Sequence, residues 1–366
     1  MEENVTEKEI VLNASTVNID HLLDCVLHKN TDRYAAVKTI AKGGMGQVSA
    51  VKDRSLSRLV AMKTMSDKEE HEKYDVLAFI NEARINAMLD HPNVVPIHDL
   101  GLTDDHQPFY TMKLVDGVPL STVISELKND NPDYVNRYNL SALIQIFLKI
   151  CDAISFAHSK DIIHLDIKPE NIQIGNYGEV LVMDWGISRK MGSKELIRPH
   201  STQLAKSSHA TKNTYFSEYS VIPTVNIGRL MDEMETDEYI IGTPGYMAPE
   251  QVTDTPETFD ERADIYALGS TLYTLITNEQ PFVGKTIDAV LELKMNHDLT
   301  PPKKLKKDMP DELNSIVLKA MSIDPQMRYR TVEQFSRDII TFQEKCSISV
   351  QKKSLLKRIV NSFSKK

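Results

Sequence analysis

A short stretch near the middle of the chain places residues of different chemistry at fixed offsets. Asp166, Lys168 and Asn171 follow one another closely, directly after a long apolar segment. Asp184 comes thirteen residues after Asn171, at the end of a second short apolar run. Two carboxylates, an ammonium group and an amide on adjoining loops match the needs of phosphoryl transfer. One carboxylate can orient an attacking hydroxyl, while the other carboxylate and the amide can hold metal ions.

The segment before this loop must place the loop inside the protein. Residues 140–159 carry apolar side chains at 143, 146, 147, 150, 154 and 157, a spacing typical of a buried helix. Gln145, Lys149 and Asp152 interrupt the apolar run, so we interpret it as a core helix and exclude a membrane span. Such a helix would hold the loop around Asp166 against the protein interior.

Upstream of the loop, a glycine-rich turn connects two segments that alternate like strands. Glycines between Gly43 and Gly46 would let backbone amides approach a phosphate closely. Such a turn alone is more often only a turn. Lys63 follows on the next predicted strand, and Glu82 lies in a helix predicted for residues 76–89. A helical glutamate is most often a surface acid, and it is the order of the motifs that favours a pair between Lys63 and Glu82.

These motifs together resemble the eukaryotic-like protein kinase family, and in particular its bacterial serine/threonine members. Residues 164–171 read H-L-D-I-K-P-E-N against the family's H-R-D-x-K-x-x-N, and residues 184–186 read D-W-G against D-F-G. The strand that carries Lys63 reads V-A-M-K against V-A-I-K. Residues 243–250 read T-P-G-Y-M-A-P-E and are similar to the family's substrate-docking segment. The order and spacing of these short motifs make the resemblance specific, and it covers roughly residues 32–343.

The resemblance implies an α+β, two-lobed protein kinase fold. The smaller lobe, residues 32–114, is expected to hold five strands and one helix, and the larger lobe, residues 115–343, to be mainly helical. Residues 1–31 are expected to form an N-terminal extension. Residues 189–238 are rich in hydroxyl groups and charges, and we interpret them as a mobile insertion. ATP and Mg²⁺ would bind between the two lobes.

The resemblance also assigns roles to individual residues. The catalytic group is expected to be Asp166, Lys168, Lys63 and Glu82. The Mg²⁺ ligands are expected to be Asn171 and Asp184. The nucleotide is expected to contact Ala41, Gly43, Gly44, Gly46, Val48, Ala61, Lys63, Met112, Lys113, Val115 and Gln173. Thr243 is expected to serve substrate docking, and the structural residues are expected to be Asp264 and the ion pair of Glu250 with Arg328.

The reaction implied is transfer of the γ-phosphoryl group of ATP to protein serine or threonine hydroxyls, with autophosphorylation. The residues at positions Lys168 and Thr243 resemble those of serine/threonine kinases rather than those of tyrosine kinases. The alternative is a pseudokinase, a scaffold module that keeps the fold with weak or no transfer activity. It draws on departures from the family pattern at Ala41, Asn86, Leu165 and Gln173. The intact chemical residues favour the enzyme, and the docking segment disfavours a small-molecule kinase.

The composition indicates which classes of partner and which cellular compartment are to be expected. The formal net charge of −9 excludes a nucleic-acid binder by bulk electrostatics. The first residues have neither a basic start nor an apolar core, so no secretory signal is predicted. Three widely separated cysteines are typical of a reducing compartment. We therefore expect a soluble, cytoplasmic protein whose partners are ATP and substrate proteins.

Residues 344–366 form a tail with a distinct charge pattern. Residues 352–366 contain six lysine or arginine residues and no acid, and their apolar residues fall on one helical face. A basic amphipathic helix of this kind can lie on an anionic membrane or in a partner's groove. It can equally be a solvated tail or pack on the larger lobe, and the sequence leaves these alternatives open.

Overall fold

The computed structural model describes residues 28–29, 33–42, 46–65, 73–191, 244–253 and 259–346. The smaller lobe is a six-stranded sheet with one helix packed on it. In chain order its strands are β1 (His28–Lys29), β2 (Tyr34–Lys42), β3 (Gly46–Asp53), β4 (Arg58–Met65), β5 (Ile97–Leu102) and β6 (Pro108–Lys113). The order across the sheet is β1-β5-β6-β4-β3-β2, and every neighbouring pair is antiparallel except β1 with β5.

The first strand corrects the expected start of the lobe. The sequence predicts five strands from residue 32 onwards, and β2 to β6 are those five. The sheet also includes β1, which pairs with Gly101 and Leu102 and belongs to the segment expected to be an extension. Without β1, strand β5 would present unpaired backbone groups at the sheet edge. Two residues are too short to leave a periodic pattern in the sequence, so the expectation missed them.

Helix α1 (Lys73–Met88) packs on one face of this sheet. Phe79 and Ala83 are buried against Ala61 of β4 and against Tyr110 and Met112 of β6. The predicted helix over residues 76–89 is therefore present, with its start three residues earlier. Packing of this apolar face gives the helix a fixed position over β4 and β6, and so fixes where Glu82 points.

The larger lobe is mainly helical. Its helices are α2 (Leu120–Lys128), α3 (Pro132–Arg137), α4 (Leu140–Ser159), α5 (Glu250–Thr253), α6 (Glu261–Thr277), α7 (Ile287–Met295), α8 (Pro302–Leu305), α9 (Asp311–Ala320) and α10 (residues 332–346). The α+β, two-lobed fold expected from the resemblance is confirmed. The last helix extends past residue 343, the expected end of the lobe, and Lys345 on it pairs with Glu312 of α9 at 2.6 Å.

Helices α4 and α6 pack against each other at the centre of this lobe. The predicted helix over residues 140–159 is confirmed at both ends, and Asn139 caps it by accepting a hydrogen bond from Ala142 N at 3.1 Å. By length and composition, α4 alone among the described residues could cross a membrane. In the fold it is a core helix, since Phe147, Ile150 and Ile154 have no exposed surface.

Short strands frame the two loops that carry the chemical residues. Strands β7 (Gly117–Pro119), β9 (Ile172–Gly175) and β10 (Val180–Val182) form one small sheet, and β8 (Ile162–Ile163) pairs with β11 (Arg189–Lys190). Residues 164–171 connect β8 to β9, and residues 183–188 connect β10 to β11. Because β8 pairs with β11 and β9 with β10, both ends of the two loops are held side by side.

Strand β11 also corrects the expected start of the insertion. Arg189 and Lys190 pair with Ile163 and Ile162, so these residues belong to the lobe and not to a mobile segment. Their pairing depends on a strand 26 positions earlier in the chain, which local composition does not reveal. Outside the described residues lie residues 192–238 of the predicted insertion, Thr243, residues 347–366 of the basic tail, and Gly43 and Gly44 of the glycine-rich turn.

Candidate active site

The first part of the site is an ion pair between the lobe's sheet and its helix. Lys63 on β4 and Glu82 on α1 are joined by a 2.6 Å contact between Nζ and Oε1. Burial lowers the pKa of Lys63, but the charges of Glu82 and Asp184 outweigh burial and raise that pKa above its ordinary value. A charged lysine held in this way, near Asp184, is suited to contact the phosphates of a nucleotide.

A tyrosine completes this ion pair. The hydroxyl of Tyr110 on β6 donates to the same Oε1 of Glu82 at 2.6 Å. The ammonium of Lys63 also lies 5.7 Å from the centre of the Tyr110 ring. Burial, and then the charge of Glu82, raises the pKa of Tyr110 well above its ordinary value, so the hydroxyl keeps its proton and remains a donor. Glu82 is therefore bonded to side chains of two strands, Lys63 of β4 and Tyr110 of β6.

The second part of the site is the loop between β8 and β9. Asp166 Oδ2 accepts from Lys168 Nζ at 2.8 Å and from Asn171 Nδ2 at 2.9 Å. Among the described residues, no hydrogen bond to Asp166 Oδ1 is present, so this oxygen is available to a substrate hydroxyl. Burial raises the pKa of Asp166, and the charge of Lys168 opposes this only in part. The side chains of Lys168 and Asn171 are both buried, which fixes the cluster.

Asp264, at the start of α6, gives this loop its shape. Its carboxylate accepts from the backbone amides of His164 and Leu165, both at 2.8 Å, and bonds to His158 Nε2 at 2.8 Å. Leu165 is held in the left-handed region at φ 66°, a strained backbone for a leucine. Two hydrogen bonds that the fully buried carboxylate accepts stabilise this strained turn, which lies directly before Asp166.

The third part is the loop between β10 and β11. Asp184 has φ 60°, and Trp185 beside it is fully buried with its ring centre 4.5 Å from that of His164. The backbone amide of Met183 donates to Asn171 O at 2.8 Å. This bond ties the two loops together, so Asp184 and Asn171 approach the cleft from neighbouring strands.

The donor set of these loops fits a magnesium ion. The Nδ2 atom of Asn171 donates to the side chain and the backbone oxygen of Asp166, which leaves the amide oxygen free to bind a metal. Together with the carboxylate of Asp184 this provides hard oxygen ligands. Among the described residues no group of three or more histidines, cysteines or acids has an arrangement that could hold a metal ion. Mg²⁺ needs no such cluster, because it is usually held by one or two protein ligands and substrate phosphates.

The described members of the expected nucleotide set lie on β2, β3, β4 and β6, on the connection that follows β6, and on β9. Ala41 and Val48 are cross-strand neighbours in the β2–β3 hairpin. Gly46 begins β3, and a Cβ there would approach the carbonyl oxygen of Thr64 to 2.1 Å, so only glycine fits. Ala61 and Met112 are neighbours on β4 and β6 and are both buried.

At the connection to the larger lobe, the side chain of Lys113 is engaged. Its Nζ lies 3.0 Å from Oε1 of Glu179, in the β9–β10 turn. Val115 follows Lys113 in this connection, and Gln173 is half-buried on β9. The sequence treats Lys113 as important only through its backbone, whereas the structure gives its side chain an ion pair between the lobes.

The segment after the undescribed region is anchored by the expected structural pair. Arg328 Nη1 and Nη2 bond to the two carboxylate oxygens of Glu250 at 2.6 and 2.7 Å. The guanidinium also donates to three backbone carbonyls, those of Arg262, Ser322 and Ile323. This arrangement holds the end of the docking segment to the loop before α10 without taking part in chemistry.

The similarity to known proteins agrees with this geometry. The protein kinase domain profile matches residues 34–217 and 227–340. The chain belongs to the protein kinase family. The serine/threonine-protein kinase PknD of Protochlamydia amoebophila is 34% identical over 325 residues, which cover 86% of this chain and 30% of that protein. The protein of the same name from Chlamydia caviae is 32% identical over 313 residues, covering 84% and 31%.

A third relative extends the same pattern. The serine/threonine-protein kinase PknD of Chlamydia felis is 31% identical over 314 residues, covering 84% of this chain and 30% of that protein. This kinase chain thus spans about 30% of the length of these relatives. The family generally uses ATP together with Mg²⁺ or Mn²⁺.

Departures from the family pattern leave the kinase site assembled. Leu165 is buried, and both its amide and its carbonyl are hydrogen-bonded, to Asp264 and Gln251. Asn86 is buried one turn after Glu82, and its Oδ1 has no partner among the described residues. Neither residue displaces a member of the chemical clusters, so these two departures do not favour the pseudokinase.

Sequence reasoning missed three polar residues that organise the kinase site. Tyr110 supports Glu82, while Gln251 and Lys294 contact the docking segment. The signal that could have revealed Tyr110 is its polar hydroxyl, two residues before Met112 in a segment already predicted as a strand. Gln251 and Lys294 belong to none of the motifs quoted above, and their contacts join distant parts of the chain.

Removing the Tyr110 hydroxyl tests its support of the ion pair. We expect Tyr110→Phe to lower kcat by about tenfold, because a hydrogen bond to a charged group contributes roughly 1.5–3 kcal/mol and tenfold corresponds to about 1.4 kcal/mol. Steady-state phosphorylation of a peptide measures this. Tyr138→Phe is the matched control, because Tyr138 is also buried and its hydroxyl makes no hydrogen bond within the described residues. Equal kcat values for the two variants would contradict a role for the hydroxyl.

Proposed function

We propose that this chain transfers the γ-phosphoryl group of ATP to serine and threonine hydroxyls of proteins. The proposal rests mainly on two groups of chemically active side chains, each held together by hydrogen bonds or an ion pair. Lys63 is bonded to Glu82, and Asp166 is bonded to Lys168 and Asn171. Phosphoryl transfer needs a cation that binds the ATP phosphates and a carboxylate that orients the acceptor hydroxyl, and these two groups supply both. The names of the bacterial relatives support the choice of serine and threonine.

Each residue then has a defined task. Lys63 binds the ATP phosphates, and Glu82 with Tyr110 holds Lys63 in place. Asp166 Oδ1 accepts the hydroxyl hydrogen bond of the substrate and takes its proton. The hydroxyl oxygen forms a bond to the γ-phosphorus while the bond to the β–γ bridging oxygen breaks, and ADP leaves. Lys168, next to Asp166, offsets the negative charge of the transferring group.

Mg²⁺ is the metal that we propose for this site. Asn171 and Asp184 would hold it, because they present an amide oxygen and a carboxylate from adjoining loops. The ion would neutralise charge on the phosphates of ATP. Mn²⁺ prefers similar oxygen ligands, so both metals belong in the assay.

A labelled-ATP transfer assay on the full chain tests the function. We expect label to enter the protein itself and a generic basic protein, only when Mg²⁺ or Mn²⁺ is present, and to be found on serine or threonine. Asp184→Asn is the control, because it changes one proposed metal ligand with almost no change in volume. If wild type transfers no label above this variant, the proposed function is wrong and the pseudokinase alternative stands.

We further propose a cytoplasmic location and protein partners, with no nucleic-acid partner. The net charge of −9 supports the last point. Cys151 is a free, buried thiol whose pKa burial raises to about 12. A free thiol of this kind is consistent with a reducing compartment. Cell fractionation with a compartment marker measures the location, and recovery outside the cytoplasm would contradict it.

For the basic tail we propose peripheral binding to anionic membranes. Its six cations and its single apolar face support the proposal. We expect that deleting residues 351–366 weakens binding to vesicles containing phosphatidylserine at low salt, and leaves peptide phosphorylation unchanged. Sedimentation with vesicles measures the binding, with neutral vesicles as the control. If the full chain stays in the supernatant with both vesicle types, the tail is not a membrane anchor.

A further inference from the structure

Lys294 on α7 is an unusual residue for the inside of a protein. Its side chain is fully buried, whereas lysines are almost never fully buried without a partner. Its ammonium donates to two backbone carbonyls, those of Pro244 and Met247. These carbonyls bracket the first part of the segment that follows Thr243. One side chain therefore fixes the backbone of residues 244–247 from the side of α7.

Within the part of the chain that the structure describes, Lys294 has no carboxylate partner. The ammonium lies 5.4 Å from the ring centre of Tyr266 and 5.7 Å from that of Phe282. Among the ion pairs of the described residues none includes Lys294, and the acid that acts on it, Glu250, is bound to Arg328. Burial lowers the pKa of Lys294 to about 7, which Glu250 opposes and Arg328 reinforces. A leucine or methionine would fill this space without the cost of burying an amine.

A second buried side chain holds the other end of the same segment. Gln251 Oε1 accepts from the amide of Ala248 at 2.9 Å, and Gln251 Nε2 donates to the carbonyl of Leu165 at 3.0 Å. Leu165 immediately precedes Asp166. The segment over residues 244–248 is thus joined through Gln251 to the loop that carries Asp166, the proposed catalytic base. A shift of the segment would therefore change the position of the loop at Asp166, where the substrate hydroxyl is proposed to bind.

We propose that Lys294 is a positioning residue for the protein substrate, which fixes residues 244–247 beside the catalytic loop and so sets the affinity for the substrate protein. ATP binding is expected to stay unchanged, since the contacts of the Lys294 ammonium with other described residues are with Pro244, Met247, Tyr266 and Phe282 and include neither Lys63 nor the loops that carry Asn171 and Asp184. The inference rests on the proposed kinase function. It adds a residue that acts on the acceptor side of the reaction through the backbone it holds.

Three variants of the full chain test the assignment. Lys294→Met removes both donors with little change in volume, Lys294→Gln keeps one amide donor, and Lys304→Met removes an exposed lysine as the matched control. The measurements are the KM for a serine-containing peptide, the KM for ATP, and ATP hydrolysis without peptide. We expect the peptide KM to rise by about tenfold or more in Lys294→Met, to rise less in Lys294→Gln, and to stay unchanged in the control, because lost charge-assisted hydrogen bonds weaken the segment.

ATP hydrolysis and the KM for ATP are expected to stay within about twofold of wild type in the same variants. A general loss of folded protein would instead lower ATP hydrolysis together with peptide phosphorylation. An unchanged peptide KM, or a parallel loss of hydrolysis and peptide phosphorylation, would overturn the assignment. If Lys294→Met does not fold, Lys294→Gln carries the same comparison.

Hydrogen exchange separates this inference from the proposed function. We expect the amides of residues 245–248 to exchange faster in Lys294→Met than in wild type, whether or not the chain transfers phosphate. If wild type transfers no phosphate but the variant still exchanges faster, the kinase function is refuted while the contact of Lys294 with the segment is supported. If wild type is active but the variant exchanges at the same rate as wild type, the role of Lys294 is refuted.

The pH dependence provides a readout that packing alone does not move. The charges that act on Lys294 are those of Glu250 and Arg328, which pair with each other, and the ring of Tyr266, whose pKa burial raises, lies beside the ammonium. Because its pKa is about 7, Lys294 is expected to change charge near neutral pH. Charged donors bond more strongly, so the peptide KM should be lower at about pH 6 than at about pH 8 in wild type. The same pH difference in Lys294→Met would show that another group is responsible.

Discussion

Replacing Asp166 with asparagine is expected to reduce phosphoryl transfer by about a hundredfold to ten-thousandfold, the range by which a positioned proton acceptor accelerates a reaction. Asparagine keeps the size of the side chain and can still meet Lys168 or Asn171 through its oxygen. It cannot accept the proton of the substrate hydroxyl as a carboxylate does. Single-turnover transfer to a peptide measures the rate, and ATP binding should change little because Asp166 faces the acceptor.

Asp161→Asn is the matched control for this variant. Asp161 is exposed five positions upstream, in a left-handed backbone conformation that asparagine tolerates well. Wild-type transfer in the control and a normal melting temperature in both variants would attribute the loss to chemistry. Transfer at the wild-type rate by Asp166→Asn would show that the assignment of Asp166 is wrong.

The second large effect concerns stability. Arg328→Met is expected to destabilise the larger lobe by about 3–5 kcal/mol, because it leaves Glu250 without its cation in a largely buried site. It also leaves the carbonyls of Arg262, Ser322 and Ile323 without the donors that now reach them. Urea denaturation followed by circular dichroism measures the free energy of unfolding.

Arg330→Met is the control, since Arg330 is exposed two residues further along and an exposed cation contributes little. The double variant Arg328→Met with Glu250→Gln should recover part of the loss, because it no longer buries an unpaired charge. A loss below about 1 kcal/mol for Arg328→Met alone would contradict the role of this pair in stability.

The parts of the fold that the sequence predicted are those with a local signal. The helix over residues 140–159 has a clear 3.6-residue apolar period, and the structure has the same bounds. Asp166, Lys168 and Asn171 lie within six residues of one another, so a short motif was enough to group them. Lys63 and Glu82 needed the order of several motifs, because a strand lysine and a helix glutamate carry no mark of their pairing.

The parts that were missed depend on contacts between distant positions. Strand β1 is two residues long and exists because β5 offers an edge. The contacts of Lys294 join positions 50 and 47 residues apart, and the bond from Gln251 to Leu165 spans 86. In the sequence Lys294 is one lysine in a short helix and would be taken as exposed. Only the packed lobe shows that its ammonium is inside.

Trp185 has a consequence for how this molecule can be observed. It is the single tryptophan of the whole chain, and it sits between Asp184 and Gly186, fully buried against the ring of His164. All tryptophan fluorescence of the protein therefore originates in the loop between β10 and β11. Because Trp185 adjoins Asp184, we expect the binding of nucleotide and of the proposed metal to change the emission of the unlabelled chain, with no other tryptophan to subtract.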